Sequence, residues 1–261
     1  MHQIYFYKKF TKMLLVGKVS NAGRNFLGRV CVQGRGGGAK FRYLKVDFYR
    51  RINSFGRILK ILSKFYISGF LGLILYDNGL AGYILLSEGV KLNDILYSGV
   101  SANKVALFNN THLGWALPLA NITLFSVVNT IENKPYKGSI LARAAGVGCI
   151  LVGRTNKFSI LKLNSGWQIQ VSNLCMASIG KVSNSIYMYY VIGKAGTSRL
   201  MGFRPKVRGV AKNPCDHPHG GGNGKKSKPV NPVNAWGRVQ KERPTKNKQK
   251  DRLNRRFFKK F

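Results

Sequence analysis

Acidic side chains are what this sequence has least of: 8 Asp+Glu among 261 residues, against 44 Lys+Arg, for a formal net charge of +36. So few carboxylates leave little with which to build general acid–base pairs or oxygen-ligated metal cages. A free enzyme of that charge would adhere to every polyanion nearby. Cysteine is also sparse. Cys31, Cys149, Cys175 and Cys215 lie far apart and form no CxxC pair, so neither a zinc ribbon nor a disulfide scaffold is expected, and a reducing compartment fits. Long apolar runs are missing too. The most apolar stretch, Phe65–Tyr76, is interrupted by Ser68, Gly69 and Gly72 and falls short of the roughly 20 residues that span a bilayer. The N-terminal segment is basic and acid-free but has no arginine before Arg24, which makes a poor secretory signal and a faint transit peptide. A long basic amphipathic helix, the usual carrier of a membrane-surface role, is absent as well.

What is present points to a folded, polyanion-binding chain. The hydrophobic fraction of 44% is that of ordinary globular domains, so a packed core exists. The missing negative charge must come from a partner, either nucleic acid or an anionic membrane. Charge divides the chain into three. Residues 1–60 carry a net +13, residues 61–203 only +8, and residues 204–261 a net +15. Five of the eight prolines (Pro214, Pro218, Pro229, Pro232, Pro244) lie in the last 52 residues, which show no sustained apolar periodicity. Alone, such a segment cannot offset its ordering entropy and is expected to be an extended arm.

The middle reads as short strands. Gly28–Val32 and Phe41–Asp47 alternate about a glycine-rich turn at Gly34–Gly38, which predicts a hairpin. Gly72–Tyr76 and Ala81–Leu86, joined by Asp77-Asn78-Gly79, predict a sharper one, because Asn-Gly supplies positive φ. Further strands are expected at Leu124–Asn129, Cys149–Arg154, Phe158–Leu163, Trp167–Val171 and Tyr187–Ile192, with a turn at Lys162–Gly166. Ile140–Ala145 could make one helical turn. Breakers every ten residues or so suit small barrels or sandwiches. No internal repeat is apparent.

Three motifs carry candidate chemistry. In Gly34-Arg35-Gly36-Gly37-Gly38-Ala39-Lys40-Phe41-Arg42-Tyr43, glycine backbone and three cations suit phosphate oxygens; the plainer alternative is a flexible, solubilising hairpin loop. It is neither a Walker loop nor a dinucleotide fingerprint. In Arg208-Gly209-Val210-Ala211-Lys212-Asn213-Pro214-Cys215-Asp216-His217-Pro218-His219-Gly220-Gly221-Gly222, the Asp, two His and Cys could form a metal cluster or a His–Asp base. The interposed Pro218 and missing second carboxylate favour RNA contact instead, with an ordinary Pro-Gly turn as the third option. The run Lys241–Phe261 mixes cations and aromatics as a backbone-tracking arm would, or as a solvated tail would. Trp236, a large aromatic in a polar setting, is expected to pack on something.

Taken in order, these residues resemble the universal large-subunit ribosomal protein two family of bacterial and organellar type. The resemblance rests on Gly23-Arg24-Asn25 leading into Gly28-Arg29-Val30, the RGGG-x-K loop, Tyr43–Asp47, and Gly79–Gly99 with Gly89-Val90-Lys91-Leu92-Asn93-Asp94. It continues through Leu117-Pro118-Leu119-Ala120-Asn121-Ile122, Leu141-Ala142-Arg143-Ala144-Ala145-Gly146, Ser178-Ile179-Gly180, Gly193-Lys194-Ala195-Gly196 and Arg204-Pro205. Val207-Arg208-Gly209-Val210, Asn213-Pro214, the Asp216-His217-Pro218-His219-Gly220-Gly221-Gly222 run and Ala235-Trp236-Gly237 complete it.

The resemblance implies a mostly β fold, an OB-like barrel followed by an SH3-like barrel, with extended basic ends. The corresponding divisions are 1–17 as an N-terminal extension, 18–105 as the OB-like RNA-binding domain, 106–203 as the SH3-like barrel and 204–261 as the C-terminal arm. It implies a structural, non-enzymatic constituent of the large subunit that binds large-subunit rRNA, supports the peptidyl-transferase region and aids subunit association. Asp216 and His217 fall at positions once linked to peptide-bond formation and now regarded as structural. The expected rRNA contacts are Arg24, Arg35, Gly36, Gly37, Gly38, Lys40, Arg42, Arg143, Lys194, Arg199, Arg204, Arg208, Asn213, Asp216, His217, His219, Gly220, Gly221, Gly222 and Trp236. Neighbouring large-subunit proteins and the small subunit, through a bridge, are the other expected partners, with no membrane. No cofactor is expected beyond structural Mg2+ at RNA contacts.

Departures from the family pattern are Ala39 for a His, Phe125 for a Gly, Asn129 for a His and Asn223 for a Glu, together with a shorter N-terminal extension. Enrichment in Asn, Lys, Ile, Phe and Tyr suggests an AT-rich genome and points to a mitochondrial ribosome, with plastid or bacterial cytoplasm as alternatives.

Overall fold

Strands account for most of the regular structure; Phe158–Lys162 and Trp167–Ser172 alternate between core and surface as a half-buried pleat requires, while Ala116–Pro118 and Met176–Ile179 are buried throughout. The computed structural model describes residues 12–100, 112–222, 231–240 and 259–260. Asn223 and the run Lys241–Phe261, apart from residues 259–260, lie outside them. A two-stranded sheet pairs β1 (Leu15–Gly17) with β2 (Arg42–Leu44), Val16 opposite Tyr43. The predicted hairpin of Gly28–Val32 with Phe41–Asp47 does not form: β2 takes the N-terminal strand as its partner, and Val30 instead bridges Arg24 a few residues back.

The first strand group is an antiparallel set of β3 (Ser54–Lys64), β4 (Ile67–Tyr76), β5 (Ala81–Leu85) and β6 (Ile95–Ser98). The β4–β5 hairpin is the one the Asn-Gly pair predicted, with Leu73 opposite Tyr83. Its turn is bulged, since only Gly79 takes positive φ, at +80°. Asn78 uses its side chain instead, accepting the Leu80 N–H at 3.1 Å. Gly72, which breaks up the apolar run in sequence, sits where a Cβ would come 2.6 Å from Cδ2 of buried Leu86. The glycine permits close packing rather than ending the strand.

The second group contains β7 (Ala116–Pro118), β8 (Val127–Asn129), β11 (Cys149–Arg154), β12 (Phe158–Lys162), β13 (Trp167–Ser172) and β14 (Met176–Ile179), joined to the first by a parallel pairing of Ser98 with Ala116. The short strands β9 (Ile131–Glu132) and β10 (Ser139–Leu141) pair separately, and β15 (Lys259–Lys260) adds to the edge at β13. The expected helical turn at Ile140–Ala145 is therefore replaced by β10 and an irregular segment, because the Thr130 N–H bonds Ala142 O at 3.0 Å. The expected strand Tyr187–Ile192 is also absent. Ser185–Tyr189 forms a 3-10 turn entered through left-handed Asn184, and its β-prone side chains from Ile186 to Ile192 stay exposed.

One core runs through both strand groups, from Ile58, Ile74 and Tyr97 to Leu151, Leu161 and Val171. Most buried polar side chains are paired, as a low-dielectric interior demands, with Ser139 Oγ an exception. Arg50 donates to Ser98 Oγ at 2.6 Å and to the Gly114 carbonyl at 3.1 Å, and Arg51 meets fully buried Glu132 at 2.6 Å. Asn129 donates to Ser87 Oγ at 2.9 Å and to Gly180 O at 2.8 Å.

The chain divides into two discontinuous compact units. One takes Met1–Lys18, Phe41–Val191 and Arg256–Phe261, and contains both strand groups; the other takes Val19–Lys40 and Ile192–Arg255. Charge follows this division. The second unit holds 21 Lys+Arg and three Asp+Glu, so its net +18 is half of the chain's total on a third of its length.

Candidate nucleic-acid interface

The second unit is closed by backbone pairing between two segments far apart in sequence. Residues 34–39 lie along residues 200–204. Gly36 N–H donates to Gly202 O at 3.1 Å, Ala39 N–H to Leu200 O at 2.9 Å and Arg204 N–H to Gly34 O at 3.0 Å. The Arg35 guanidinium sits 4.3 Å above the Phe203 ring. Gly38, at φ +93°, lies so close that a Cβ would stand 2.8 Å from Leu200 O. Part of the glycine content, read in sequence as an approach to phosphate, therefore serves approach to the protein's own backbone. Gly37 is different: it is exposed, with open space where a Cβ would be, and remains free for a ligand. The cations of the segment, Arg24, Arg35 and Lys40, are all exposed.

The histidine-glycine loop is a self-bonded knot. Asp216 and His217 N–H groups both donate to Asn213 O, at 3.0 and 3.2 Å, and Gly220 N–H to His217 O at 2.8 Å. His219 N–H donates to His217 Nδ1 at 3.0 Å, and Val233 N–H to His219 Nε2 at 3.1 Å. The His217 ring thus works as an acceptor, which favours its neutral form, while His219 Nε2 also lies 3.3 Å from Asn231 O. Partial desolvation, with His219 and Lys212 alongside, holds the His217 pKa below its ordinary 6.5. Gly209 leaves room for the His217 ring, 2.5 Å from where a Cβ would stand. Gly220 is buried on the backbone of residues 212–213, and half-buried Gly221 lies against Pro214. Asn213, Asp216 and Gly222 are exposed. Among the described residues, no three His, Cys, Asp or Glu side chains gather as metal ligands.

Around these loops lie Lys194, Arg199, Arg204 and Arg208, all exposed. Arg199 donates to Phe203 O at 3.3 Å from the end of the short helix Ala195–Leu200. Trp236, expected to pack, is instead 58% exposed at the tip of a turn. Of the twenty candidate contacts, only Arg42 and Arg143 fall in the first unit. Both are exposed there, Arg143 lying 4.9 Å over the Phe48 ring. No helix among the described residues is long and apolar enough to cross a membrane.

Sequence reasoning missed an aromatic cluster beside Arg42. Phe41 stacks on Tyr66 with centroids 5.4 Å apart, Tyr43 and Phe65 meet it edge-on, and Lys18 Nζ lies 4.3 Å over Phe41. The alternation Phe41-Arg42-Tyr43 held the signal, since a strand puts its two rings on one face.

Comparison with known proteins agrees with this geometry. Residues 11–98 match the family described as Ribosomal Proteins L2, RNA binding N-terminal domain, and residues 112–237 match Ribosomal Proteins L2, C-terminal domain. Among curated relatives, the large ribosomal subunit protein uL2 of Chelativorans sp. (strain BNC1) is 41% identical over 94% of this chain and 87% of its own length. That of Rhodopseudomonas palustris (strain HaA2) is 39% identical over 94% and 86%, and that of the Brugia malayi Wolbachia is 42% identical over 92% and 85%. The chain belongs to the bacterial-type uL2 family of large-ribosomal-subunit proteins.

Proposed function

We propose that this chain is a non-catalytic constituent of the large ribosomal subunit that grips large-subunit rRNA chiefly through its second unit. One observation carries the reading: eighteen of the twenty candidate contacts, together with half of the net charge, are gathered in a third of the chain. Exposed cations neutralise phosphates and release counterions, so affinity should fall steeply and linearly on a log–log plot against salt. The strand group of residues 54–98 serves as the OB-like module, that of 116–179 as the SH3-like one, and the 204–261 segment as the arm. Asp216 and the two imidazoles brace RNA near the peptidyl-transferase region and support subunit association. Both rings are already engaged by backbone groups, which suits bracing better than proton transfer. Composition favours a mitochondrial ribosome.

The test is twofold. Purified protein should bind a large-subunit rRNA transcript with a steeper salt dependence than anionic vesicles, and it should stay with the large subunit of organellar ribosomes through a high-salt wash. Equal affinity and equal slopes for vesicles, or recovery only in free fractions, overturn the reading. RNA cleavage abolished by His217→Ala would instead establish a nuclease. Recovery from plastid or bacterial ribosomes alone would overturn the mitochondrial assignment.

A further inference from the structure

The second unit contains the same turn twice. Asn25-Phe26-Leu27-Gly28-Arg29-Val30 and Asn234-Ala235-Trp236-Gly237-Arg238-Val239 share the pattern Asn-x-x-Gly-Arg-Val, 209 positions apart, where no repeat was apparent. Their backbones agree bond for bond. Asn25 N–H donates to Arg29 O at 2.9 Å, and Asn234 N–H to Arg238 O at 2.9 Å; Gly28 and Gly237 N–H donate to the carbonyl of their Asn at 3.1 and 3.0 Å. Each Asn Oδ1 accepts two further N–H groups. Asn25 takes those of Leu27 and Arg29 at 3.1 and 2.9 Å, and Asn234 those of Trp236 and Arg238 at 3.0 and 2.9 Å. Gly28 and Gly237 both sit at φ +75°, with nothing within 4 Å of a Cβ position. Glycine is required there by conformation, not by crowding. Each turn is tied at its base by a single bridge, Arg24 to Val30 and Val233 to Val239.

The Asn carboxamide satisfies the turn from within, so the two tip residues are not needed to hold it. Each tip nonetheless presents one large aromatic, Phe26 from the first tip position at 94% exposure and Trp236 from the second at 58%. An aromatic ring held out by a prebuilt turn, with exposed Arg29 three residues after Phe26 or exposed Arg238 two residues after Trp236, fits a ligand with a flat apolar face and a nearby negative charge. We propose that the two turns, alike in backbone, are knuckles that each stack their aromatic on one unpaired, unstacked RNA base while the nearby arginine takes that nucleotide's phosphate. Charge selects RNA over a protein occupant, because the unit that carries both tips has a net charge of +18. The inference rests on the rRNA-binding reading and adds to it the kind of nucleotide recognised.

The test uses the full chain and two RNA hairpins, one fully paired and one with a single 2-aminopurine bulge. Base stacking on an aromatic is worth about 1–3 kcal/mol, so the intact protein should bind the bulged hairpin roughly 5- to 150-fold tighter and quench its fluorescence. Phe26→Ala and Trp236→Ala should each reduce that preference and leave the melting temperature unchanged. Phe26→Trp should retain it. Intact protein that binds large-subunit rRNA but does not distinguish the hairpins, or that distinguishes them equally well in both Ala variants, overturns the knuckles and leaves the rRNA reading standing. Failure of the intact protein to bind large-subunit rRNA at all sinks the rRNA reading itself. Variants that bind both hairpins like the intact protein yet lose retention on the assembled subunit would identify a protein contact, and so also overturn the knuckles.

Discussion

At the residue scale, backbone angle and protonation make the sharpest demands. Phe125 stands at φ +62° and is 73% exposed, so it bears a left-handed conformation with little packing to offset it. This is a conformation that glycine adopts without strain. Phe125→Gly is expected to raise stability by about 0.5–1 kcal/mol, relief of strain outweighing the added freedom of the unfolded chain; thermal denaturation that shows a lowered midpoint contradicts this. His217 provides a pH prediction. Its folded pKa lies below the ordinary 6.5, so the loop favours the neutral ring. The stabilisation is complete above the unfolded-state value and is lost as pH falls through the lower folded value. The His219 amide resonance should therefore shift with a midpoint below 6.5, and His217→Asn, which keeps an acceptor without titrating, should remove the transition. A midpoint at or above 6.5 contradicts the assignment. Arg50 and Arg51 show why charge alone could not mark every contact: in sequence they look like Arg35, but they are committed to Ser98 and Glu132 inside the fold.

At the scale of elements, strands were legible where alternation was clean and a turn residue closed the run. Cys149–Arg154 forms with the expected ends, and Phe158–Lys162 and Trp167–Ser172 differ from expectation by one residue. The longest strand, Ser54–Lys64, was not. Its apolar residues Phe55, Ile58, Leu59, Ile61 and Leu62 follow a spacing closer to a helical face, and pairing with β4 and β6 decides the matter. The opposite happened at Tyr187–Ile192, where β-prone residues found no neighbouring strand, so local preference counted for little. Glycines inside strands carry a further prediction. Gly72→Ala should destabilise by roughly 1–3 kcal/mol through overpacking against Leu86, whereas Gly82→Ala, with open space at its Cβ position, should be near neutral. Chemical denaturation of both variants checks this, and equal effects would mean that close approach is not why β4 contains glycine.

At the scale of the whole molecule, the expected linear sequence of barrel, barrel and arm did not reveal that segment 19–40 shares a compact unit with 192–255. Each piece was visible as a glycine-rich, basic motif. Their association was not, because it is made by backbone hydrogen bonds that no side-chain pattern records. Thiols report on the same division. Cys31 and Cys215 are exposed in the second unit, while Cys149 and Cys175 are buried in the first, with burial pushing the Cys149 pKa up to about 11. Mass spectrometry after brief alkylation of the native chain should find Cys31 and Cys215 modified and the other two spared, and bound rRNA should slow the reaction at both reactive sites. Fast modification of Cys149 would contradict the buried core.

The closure of residues 34–39 on 200–204 also acts as a clock. During synthesis the first strip leaves the ribosome more than 150 residues ahead of its partner, a wait on the order of ten to thirty seconds at ordinary elongation rates. Through that interval the earlier strip has its cations but lacks the frame that orients them. A chain halted before residue 200 therefore carries the charge of the strip without its frame, and only the emergence of residues 200–204 supplies the backbone partners of Gly34, Gly36 and Ala39.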